Sequence, residues 1–456
     1  MTASGSVTPE RRVAFDVVRR AFEGGAFADR ALPAAAARAR LSGRERGRAQ
    51  RLAYGAIQRR ATLDPVIERL ASRPLADLEP AVTAALRLGL YELLFAAGTP
   101  DHAVVDQAVE LTRRAGAHGG TGLVNAVMRR AARERAALVT EPEDSSPEAA
   151  AIAHSYPRWM AELWWRELGG EPARSLMRAM NEPSEVAFRI NSLRAKPRAL
   201  RARLTALAGV AAAPGPPPLA PAEAVVVEGP LPAEILAALE RGELVAQSRA
   251  SQAVVEVLDP QPGERVLDLC AGPGIKTTAI AARLRGDGEV VAVEIDPGRA
   301  SQMRELHERL GAENVTVVVG DAAGTDIGSG YDRVLVDPPC SDLGTLAARP
   351  DARWRKQPDA IPRLAALQRR ILAAGARAVR PGGTLVYSTC TISRRENEDV
   401  AAAALRGEPA LAADDLGAIY SGLASTIDPR FLQTRSDRDR TAGFFIARLR
   451  GRERGA

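Results

Sequence analysis

The sequence predicts a multidomain protein: an all-α N-terminal domain, a small α/β connecting subdomain and a doubly wound α/β C-terminal domain. Its 456 residues exceed what one ordinary hydrophobic core organises. Up to residue 135, apolar residues recur every three or four positions, which is the helical period. From Arg249 onward, short apolar runs alternate with helical segments, as in a parallel sheet covered by helices. The predicted ranges are 1–139, 140–150 for a linker, 151–245 and 246–456.

Helix signals are frequent in the N-terminal range. The helical period holds in four segments, Val13–Phe22, Arg51–Ile57, Ala81–Phe95 and Val104–Leu111. Ser42, with Glu45 three residues later, predicts a capping box that begins a helix. Several arginines follow it, namely Arg44, Arg46, Arg48, Arg51, Arg59 and Arg60. Such a stripe fits either a solvated helix face or a surface that contacts phosphates, and the sequence leaves both open.

Composition narrows the class of protein. The chain is 46% hydrophobic and 26% charged, which is typical of a globular protein. It has no apolar stretch long enough to span a membrane, and Met1–Arg12 lacks the apolar run of a signal peptide, so we expect a cytoplasmic protein. The net charge of +6 is compatible with a polyanionic partner. Three cysteines without CxxC spacing and four scattered histidines predict neither disulfides nor a metal site.

Five apolar runs in the C-terminal range predict strands: Val266–Leu269, Glu289–Val293, Val315–Val319, Arg333–Val336 and Thr384–Tyr387. Ligands of doubly wound sheets bind at the carboxyl ends of the strands. Polar or nucleophilic side chains stand at each of those ends, namely Asp268, Glu294, Asp321, Asp337 and Cys390. Five such positions on one edge of the predicted sheet indicate a functional site there.

A glycine-containing turn, Cys270–Thr278, follows the first of these strands. It superficially resembles a phosphate-binding loop, but Cys270 and Ile275 stand where GxxxxGK[ST] requires glycine. A nucleoside cofactor without phosphates is the alternative, with Glu294 suited to the ribose hydroxyls and Asp321 to the adenine. This set fits S-adenosylmethionine (SAM). The predicted cofactor residues are Cys270, Ala271, Gly272, Pro273, Gly274, Ile275, Lys276, Glu294, Asp321 and Asp337.

Two cysteines follow neighbouring strand ends. Cys340 comes three residues after Asp337, in Val-Asp-Pro-Pro-Cys-Ser, and Cys390 lies in Tyr-Ser-Thr-Cys-Thr-Ile. A lone cysteine is usually a small buried hydrophobe, but both of these fall at the expected ligand edge. We therefore expect the two thiols to lie close together. Redox chemistry is an alternative, although the cysteines lack the CxxC spacing that it usually involves.

These motifs carry a resemblance to a known family. A Pro-Cys motif paired with a Thr-Cys motif resembles the RNA cytosine-C5 methyltransferases, whereas the DNA enzymes have no Thr-Cys counterpart. Gln247, Ser251-Gln252, Arg349–Trp354 and Gly443–Leu449 strengthen this likeness. The helical N-terminal range resembles the NusB-like RNA-binding domain. The chain is identified by this combination as a member of the RsmB (Sun/Fmu) family, which methylates 16S ribosomal RNA.

The resemblance implies a mechanism and partners. Cys390 would attack carbon 6 of cytosine, Asp337 would bind the amidine edge of the base, and Cys340 would help remove the proton from carbon 5. The C-terminal domain would be Rossmann-like and bind SAM, and the connecting subdomain would contact RNA. For Arg189 and Asn191 in that subdomain, RNA contact and a structural role remain equally open. The expected partner is 16S ribosomal RNA, with no membrane and no metal, and the protein is expected to be a monomer.

The sequence departs from the family pattern at three places. The cofactor loop usually has the sequence CAAPGGK, and here Gly272 and Ile275 replace an alanine and a glycine. The Pro-Cys motif usually has the sequence DAPCSGTG, whereas this chain has Asp-Pro-Pro-Cys-Ser-Asp-Leu-Gly. Ser248 stands where an aspartate often precedes Ser-Gln. Two other functions remain open: the same chemistry on transfer RNA or another ribosomal site, and a non-catalytic RNA-binding assembly factor.

Overall fold

The computed structural model describes residues 7–138, 143–408 and 410–452, and the chain divides into two compact units. Unit 1 comprises Met1–Glu182 and Leu346–Lys356, and unit 2 comprises Pro183–Thr345 and Gln357–Ala456. The chain thus leaves unit 2 after Thr345, contributes a short segment to unit 1 and returns. The domain boundaries predicted from the sequence stay predictions. The two units are defined by the contacts within each of them, which does not show where independently folding domains begin and end.

Unit 1 is all-helical over its described residues, which confirms the predicted class of the N-terminal range. Its helices are α1 (Pro9–Phe22), α2 (Ala28–Arg38), α3 (Gly43–Gln58), α4 (Arg60–Ala71), α5 (Pro80–Phe95), α6 (Asp101–Arg114), α7 (Thr121–Arg133), α8 (Arg135–Leu138), α9 (Pro147–His154), α10 (Arg158–Leu168) and α11 (Gly170–Ala179). Helix α5 is buried along most of its length and packs against α1, α3, α6 and α7. It is therefore the centre of the helical core.

The predicted capping box begins α3. The Ser42 side chain accepts from the Glu45 backbone N–H, and the Glu45 carboxylate accepts from the Ser42 N–H. The arginines that follow have different environments. Arg44, Arg46, Arg48 and Arg51 are exposed, whereas Arg59 and Arg60 are half-buried over aromatic rings. The two half-buried arginines are thus partly structural, and the four exposed arginines keep both interpretations of the stripe.

The predicted linker is only partly irregular. Residues 140–142 of it lie outside the described residues, and residues 143–146 have no regular structure. Pro147–His154 forms α9, with Ser146 accepting from the Ala149 N–H as its N-cap. A proline at the first position of a helix lacks only an N–H that would have no helical partner anyway, so the Pro147 expected to mark a linker instead begins a helix.

Segment 346–356 is anchored in unit 1 by Arg353. This side chain is fully buried and lies over the ring of Tyr156, with 4.0 Å from its guanidinium carbon to the ring centroid. It donates to the Ser155 carbonyl at 3.0 Å and to Asn181 Oδ1 at 2.8 Å. The neighbouring Trp354 donates its indole N–H to the Ile57 carbonyl at 2.7 Å. The segment is therefore part of the core of unit 1 and not a surface loop.

Unit 2 begins with a small α/β layer. Its elements are β1 (Ala187–Ile190), α12 (Pro197–Thr205), β2 (Val210–Ala212), β3 (Ala224–Val227), α13 (Ala233–Glu240) and β4 (Leu244–Ala246). The strands pair antiparallel in the order β2-β3-β1-β4. Alternate residues of β1, β3 and β4 face the two helices and form a core separate from that of the larger sheet.

The two residues of this layer proposed to orient RNA have buried side chains. Arg189 donates to Gln247 Oε1 at 2.8 Å and to Thr278 Oγ1 at 3.1 Å. Asn191 donates its amide to the carbonyls of Gly242 and Leu310 at 2.9 and 2.8 Å. Of the two roles left open for them, these contacts support the structural one.

The remainder of unit 2 is a mixed sheet flanked by helices. Its elements are α14 (Arg249–Leu258), β5 (Arg265–Leu269), α15 (Ile275–Arg283), β6 (Glu289–Glu294), α16 (Pro297–Leu310), β7 (Val315–Val319), β8 (Tyr331–Val336), α17 (Ala360–Ala378), β9 (Val379–Thr389), α18 (Glu398–Gly407), β10 (Leu411–Ala413), α19 (Leu416–Ile419), β11 (Leu432–Gln433), α20 (Ser436–Asp439) and β12 (Phe445–Gly451). The strand order is β10-β12-β9-β8-β5-β6-β7, and β11 pairs with β12.

The five predicted strands are the parallel part of this sheet, β7-β6-β5-β8-β9. Strand β12 joins antiparallel to β9, an addition that the sequence analysis did not predict. Valine and leucine fill the strand interiors, and helices cover both faces, as the apolar runs predicted. The order reverses beside β5, so the carboxyl ends of β5, β6 and β8 border the crevice where such sheets bind ligands. Within the described residues, no helix has the length and apolar character needed to cross a membrane.

Candidate active site

The carboxyl end of β5 carries a buried acid. Asp268 is 1% exposed and accepts a hydrogen bond from the Thr277 hydroxyl at 2.7 Å. Burial raises the pKa of Asp268 to about 7, and the nearby charge of Asp337 adds to this, while Thr277 opposes it. The side chain thus ties the strand to helix α15, because Thr277 lies in the first turn of that helix.

The predicted cofactor loop connects β5 to α15. Gly274 has a φ of +98°, a conformation that favours glycine, and directly precedes the helix. The loop is held to the neighbouring strand by the Ala271 N–H, which donates to the Val293 carbonyl at 2.9 Å. A Cβ on Gly272 would lie 2.0 Å from Glu294 Oε2. The loop backbone therefore approaches the end of β6 more closely than a side chain at Gly272 would allow.

Two acids stand at the ends of β6 and β7. Glu294 is buried, and its Oε1 accepts from the Asp296 N–H at 2.9 Å. Asp321 is exposed, and its Oδ1 accepts from the Ala323 N–H at 2.9 Å. The Gly320 N–H donates to the Glu294 carbonyl at 3.0 Å, so the two strand ends are adjacent. Both acids therefore lie on the edge of the sheet where the sequence analysis expected them.

Asp337, at the end of β8, lies between a lysine and a serine. Lys276 Nζ lies 2.5 Å from Asp337 Oδ2, and the Ser388 hydroxyl donates to Oδ1 at 2.9 Å. Burial by itself would lower the pKa of Lys276, but the charge and hydrogen bond of Asp337 outweigh it and raise that pKa. The ammonium is thus held charged beside the carboxylate, and the loop of Lys276 is joined to β8 and β9.

The thiols of Cys340 and Cys390 lie together, as predicted, with their sulfurs 3.3 Å apart. Both cysteines are free and partly exposed. Asp342, which the sequence analysis noted only within a departure from the family motif, contacts both of them. Its Oδ1 lies 3.1 Å from Cys390 Sγ and 3.6 Å from Cys340 Sγ. The hydrogen bond with Cys390, burial and the charges of Cys390, Asp342 and Glu396 raise the pKa of Cys340 well above its ordinary value.

A buried carboxylate supports the loop that bears Cys340. Glu396 accepts from the Ser341 N–H at 2.9 Å, from the Ser341 hydroxyl and from the Gln368 amide at 3.0 Å. Gln368 also donates to the Pro339 carbonyl at 3.0 Å. Glu396 was not among the site residues predicted from the sequence, although a glutamate six residues after a candidate catalytic cysteine was the available signal.

Donor atoms of Cys340, Asp342 and Cys390 all lie within 4.8 Å of one another, and in the described part of the chain they form the group that could hold a metal ion. The sequence-based expectation of no metal stays a prediction. Exposed acids and thiols often cluster without an ion, and two of these side chains are the candidate reactive groups.

Comparison with known proteins shows the family to which this chain belongs. A family model described as 16S rRNA methyltransferase RsmB/F matches residues 255–450. A probable ribosomal RNA small subunit methyltransferase B from Synechocystis is 33% identical over 400 residues, which cover 85% of this chain and 87% of that protein. The chain belongs to the RsmB/F methyltransferase family. The resemblance inferred from the paired cysteine motifs is therefore confirmed.

Two further family models and two solved structures also match this RsmB/F chain. The NusB family model covers residues 8–133, and a ferredoxin-like domain of RsmF/B-like methyltransferases covers residues 156–234. The crystal structure of PH0851 has a TM-score of 0.77 and 25% identity, covering 98% of this chain and all of that one. The structure of NSun6 from Pyrococcus horikoshii with SFG has a TM-score of 0.58 and 25% identity, covering 65% and 99%. The predicted fold class is thus confirmed.

Proposed function

We propose that this RsmB/F methyltransferase methylates carbon 5 of a cytosine in 16S ribosomal RNA, with SAM as the methyl donor and Cys390 as the nucleophile. The observation that carries the proposal is the 3.3 Å approach of Cys340 and Cys390, next to the Lys276–Asp337 pair. Two thiols, an acid and a cation at adjacent strand ends suit covalent methylation of a pyrimidine, in which one sulfur attacks carbon 6 and a second group removes the carbon-5 proton. The names of the RsmB/F relatives support ribosomal RNA as the substrate.

The cofactor loop fits SAM. Gly274 has its positive φ where the chain turns into α15, and the Gly272 backbone lies against Glu294. A loop without side chains at these two positions lets a ligand approach the main chain, and the Glu294 carboxylate can accept from ribose hydroxyls. The likeness to NSun6 with SFG, an analogue of SAM, agrees with this assignment. The residues proposed to hold SAM are Cys270, Ala271, Gly272, Pro273, Gly274, Ile275, Lys276, Glu294, Asp321 and Asp337.

The reaction needs a nucleophile because carbon 5 of cytosine is too weakly nucleophilic by itself. Addition of the Cys390 sulfur to carbon 6 makes an enamine, and carbon 5 becomes reactive. SAM, when bound, supplies the electrophilic methyl group. Asp337 binds the amidine edge of the base, with Lys276 and Ser388 fixing its two oxygens. Cys340 helps remove the carbon-5 proton, after which the Cys390–C6 bond breaks and the product leaves.

An unpaired cytosine is the expected target. A base in a duplex would first have to leave the stack, which costs a few kcal/mol, so a loop or single strand is easier to bind. The match of residues 8–133 to the NusB family supports an RNA contact by unit 1. Methylation of transfer RNA, or RNA binding without catalysis, are the other outcomes that the experiment below separates.

The test is an incubation of the protein with SAM and, in separate reactions, unmethylated small-subunit RNA or transfer RNA, followed by mapping of 5-methylcytosine. We expect one methylated position with wild type, none with Cys390→Ala, and a covalent protein–RNA adduct on a denaturing gel with Cys340→Ala. The double variant Cys340→Ala/Cys390→Ala is the matched control and forms no adduct. Methylation by Cys390→Ala at the wild-type rate would contradict the assignment of the nucleophile. Methylation of transfer RNA alone would contradict the substrate.

A further inference from the structure

The carboxylate of Asp342 contacts both candidate reactive thiols. Its Oδ1 lies 3.1 Å from Cys390 Sγ and 3.6 Å from Cys340 Sγ, within the range where a thiol donates to a carboxylate oxygen. The roles proposed above require Cys390 to lose a proton before or during its attack, because the thiolate is the nucleophile. They name no group that takes this proton. Asp342 is in position to do so.

Asp342 also has a backbone conformation that favours glycine, with a φ of +54°. Aspartate tolerates this region better than most residues, yet a glycine would adopt it without strain. The family motif given above has glycine at the corresponding position. A strained residue whose side chain reaches a reaction centre is the kind of outlier from which function can be inferred.

The other charged groups around the thiols have different partners. Asp337 is paired with Lys276 and Ser388, and Glu396 accepts from Ser341 and Gln368. The Lys276 ammonium and Cys390 interact electrostatically, so a thiolate on Cys390 has a cation near it. Cys340 has a raised pKa and remains a thiol near neutral pH, so it does not take the proton of Cys390. In the described part of the chain, Asp342 is the carboxylate with an oxygen within hydrogen-bond distance of the attacking sulfur.

We propose that Asp342 is a further catalytic residue, which accepts the thiol proton of Cys390 during attack and returns it at release. This inference rests on the proposed function of Cys390. In the attack, the S–H bond breaks, an O–H bond forms on Asp342, and sulfur bonds to carbon 6 while the C5=C6 electron pair moves into the ring. Carbon 5 would then take the methyl group that SAM supplies. In release, the C5–H bond breaks, and Cys340 accepts that proton as it gives its own thiol proton to solvent, while C5=C6 re-forms and the S–C6 pair returns to sulfur. The Cys390 thiolate then takes its proton back from Asp342.

The experiment compares wild type with Asp342→Asn and Asp342→Gly. Asparagine keeps the size, tolerates the positive φ and can still accept a hydrogen bond, but it cannot accept a proton at these pH values. The readout is the rate of covalent adduct formation with SAM and RNA containing 5-fluorocytidine, from pH 6 to 9. Fluorine replaces the proton that must leave carbon 5, so the adduct persists and release is not measured. Asp359→Asn, an exposed aspartate, is the matched control.

We expect both variants to form the adduct about 100-fold more slowly at pH 7, within the range typical of general base catalysis. The deficit should shrink toward pH 9, where a free thiol ionises without help. Asp342→Gly should at the same time raise the melting temperature, because it removes the backbone strain. Wild-type adduct rates and pH dependence in both variants would overturn the role of Asp342. Absence of any adduct with wild-type protein would instead overturn the proposed function, and this inference with it.

Discussion

The ammonium nitrogen of Lys276 lies 2.5 Å from Oδ2 of Asp337, which joins the cofactor loop to the end of strand β8. The pair is largely buried, with 15% of the lysine and 24% of the aspartate side chain exposed. Lys276 belongs to the loop proposed to bind the methyl donor, and Asp337 is proposed to bind the cytosine base. Their ion pair therefore fixes the position of the cofactor loop relative to the group that binds the base.

Removing this cation should slow methyl transfer. In Lys276→Met, Asp337 keeps its serine partner but loses its counter-charge, and we expect kcat to fall about 10-fold to 100-fold, as for the loss of one preorganised electrostatic contact. The raised pKa of Lys276 means that the pair is fully present below pH 10.5 and is lost only as the pH rises through that raised value. The loss in kcat should therefore not vary between pH 6 and 9.

The measurement is kcat for methylation, together with the SAM dissociation constant by calorimetry. Lys196→Met serves as control, because Lys196 is exposed and remote in sequence from the loop. An unchanged kcat in Lys276→Met would show that the ion pair has no part in catalysis.

Asp268 should make unit 2 less stable as the pH rises. Its pKa is about 7 in the folded protein against an ordinary 3.8, so the folded state binds the extra proton. The contribution of this group to stability is greatest below pH 4. It falls between pH 4 and 7, because the carboxyl ionises in the unfolded chain while the buried carboxyl keeps its proton, and it levels off above pH 7. Asp268→Asn should remove a pH-dependent loss of up to about 4 kcal/mol.

Chemical denaturation at pH 4 and pH 8 measures this difference. The exposed Asp287 provides the control Asp287→Asn, for which we expect the same pH dependence as wild type. If Asp268→Asn loses as much stability between the two pH values as wild type does, the raised pKa is not what drives the change.

Glu396 should be required to hold the loop of Cys340. In Glu396→Ala, the buried Ser341 N–H loses its acceptor and Gln368 keeps only its bond to the Pro339 carbonyl, so we expect about 2–3 kcal/mol lower stability of unit 2. Glu396→Gln should be intermediate, because its amide nitrogen faces a donor on Ser341. Thermal unfolding and the rate of adduct formation report the two effects. Glu313→Ala, at an exposed position, is the control, and equal melting temperatures for it and Glu396→Ala would refute this role.

Arg353 should stabilise unit 1. Arg353→Ala removes the contact with Tyr156 and leaves the Ser155 carbonyl and the Asn181 side chain without this donor, which predicts a loss of about 2–4 kcal/mol. Lysine keeps the charge but cannot provide the planar fork, so Arg353→Lys should be only a partial rescue. Native-state hydrogen exchange of helices α9 and α10 measures the effect. The exposed Arg349, four residues earlier, gives the control Arg349→Ala; equal protection in both variants would count against the prediction.

The sequence predicted well which side chains lie at the carboxyl ends of the parallel strands. Short apolar runs that alternate with helical segments favour buried parallel strands, and the carboxyl ends of such strands lie at one edge of the sheet. That reasoning placed Asp337, Cys340 and Cys390 together before their distances were known, and the two sulfurs indeed lie 3.3 Å apart. Their chemical roles came from family resemblance and stay proposals.

The features of the fold and the site that the sequence did not predict depend on contacts between distant residues, which the periodicity of a sequence does not encode. The segment of Arg353 has no strand or helix pattern, so its place in the core of unit 1 was not predictable from the sequence. Asp342 Oδ1 contacts the sulfur of Cys390, which lies 48 residues away in the chain, and only the folded backbone reveals this contact. Arg189 and Asn191 look like surface residues by type, but their partners come from distant parts of the chain.

The burial of Arg353 in unit 1 also constrains the order of events during protein synthesis. Asn181 and Arg353, which are hydrogen-bonded, are 172 residues apart in the chain. At about 5–20 residues per second, translation needs roughly 10–35 seconds to cover that interval. During this time the helices of unit 1 have been synthesised, but the site in their core that receives Arg353 is still unfilled. The nascent chain must therefore keep this incomplete core from associating with other proteins until Arg353 has been translated.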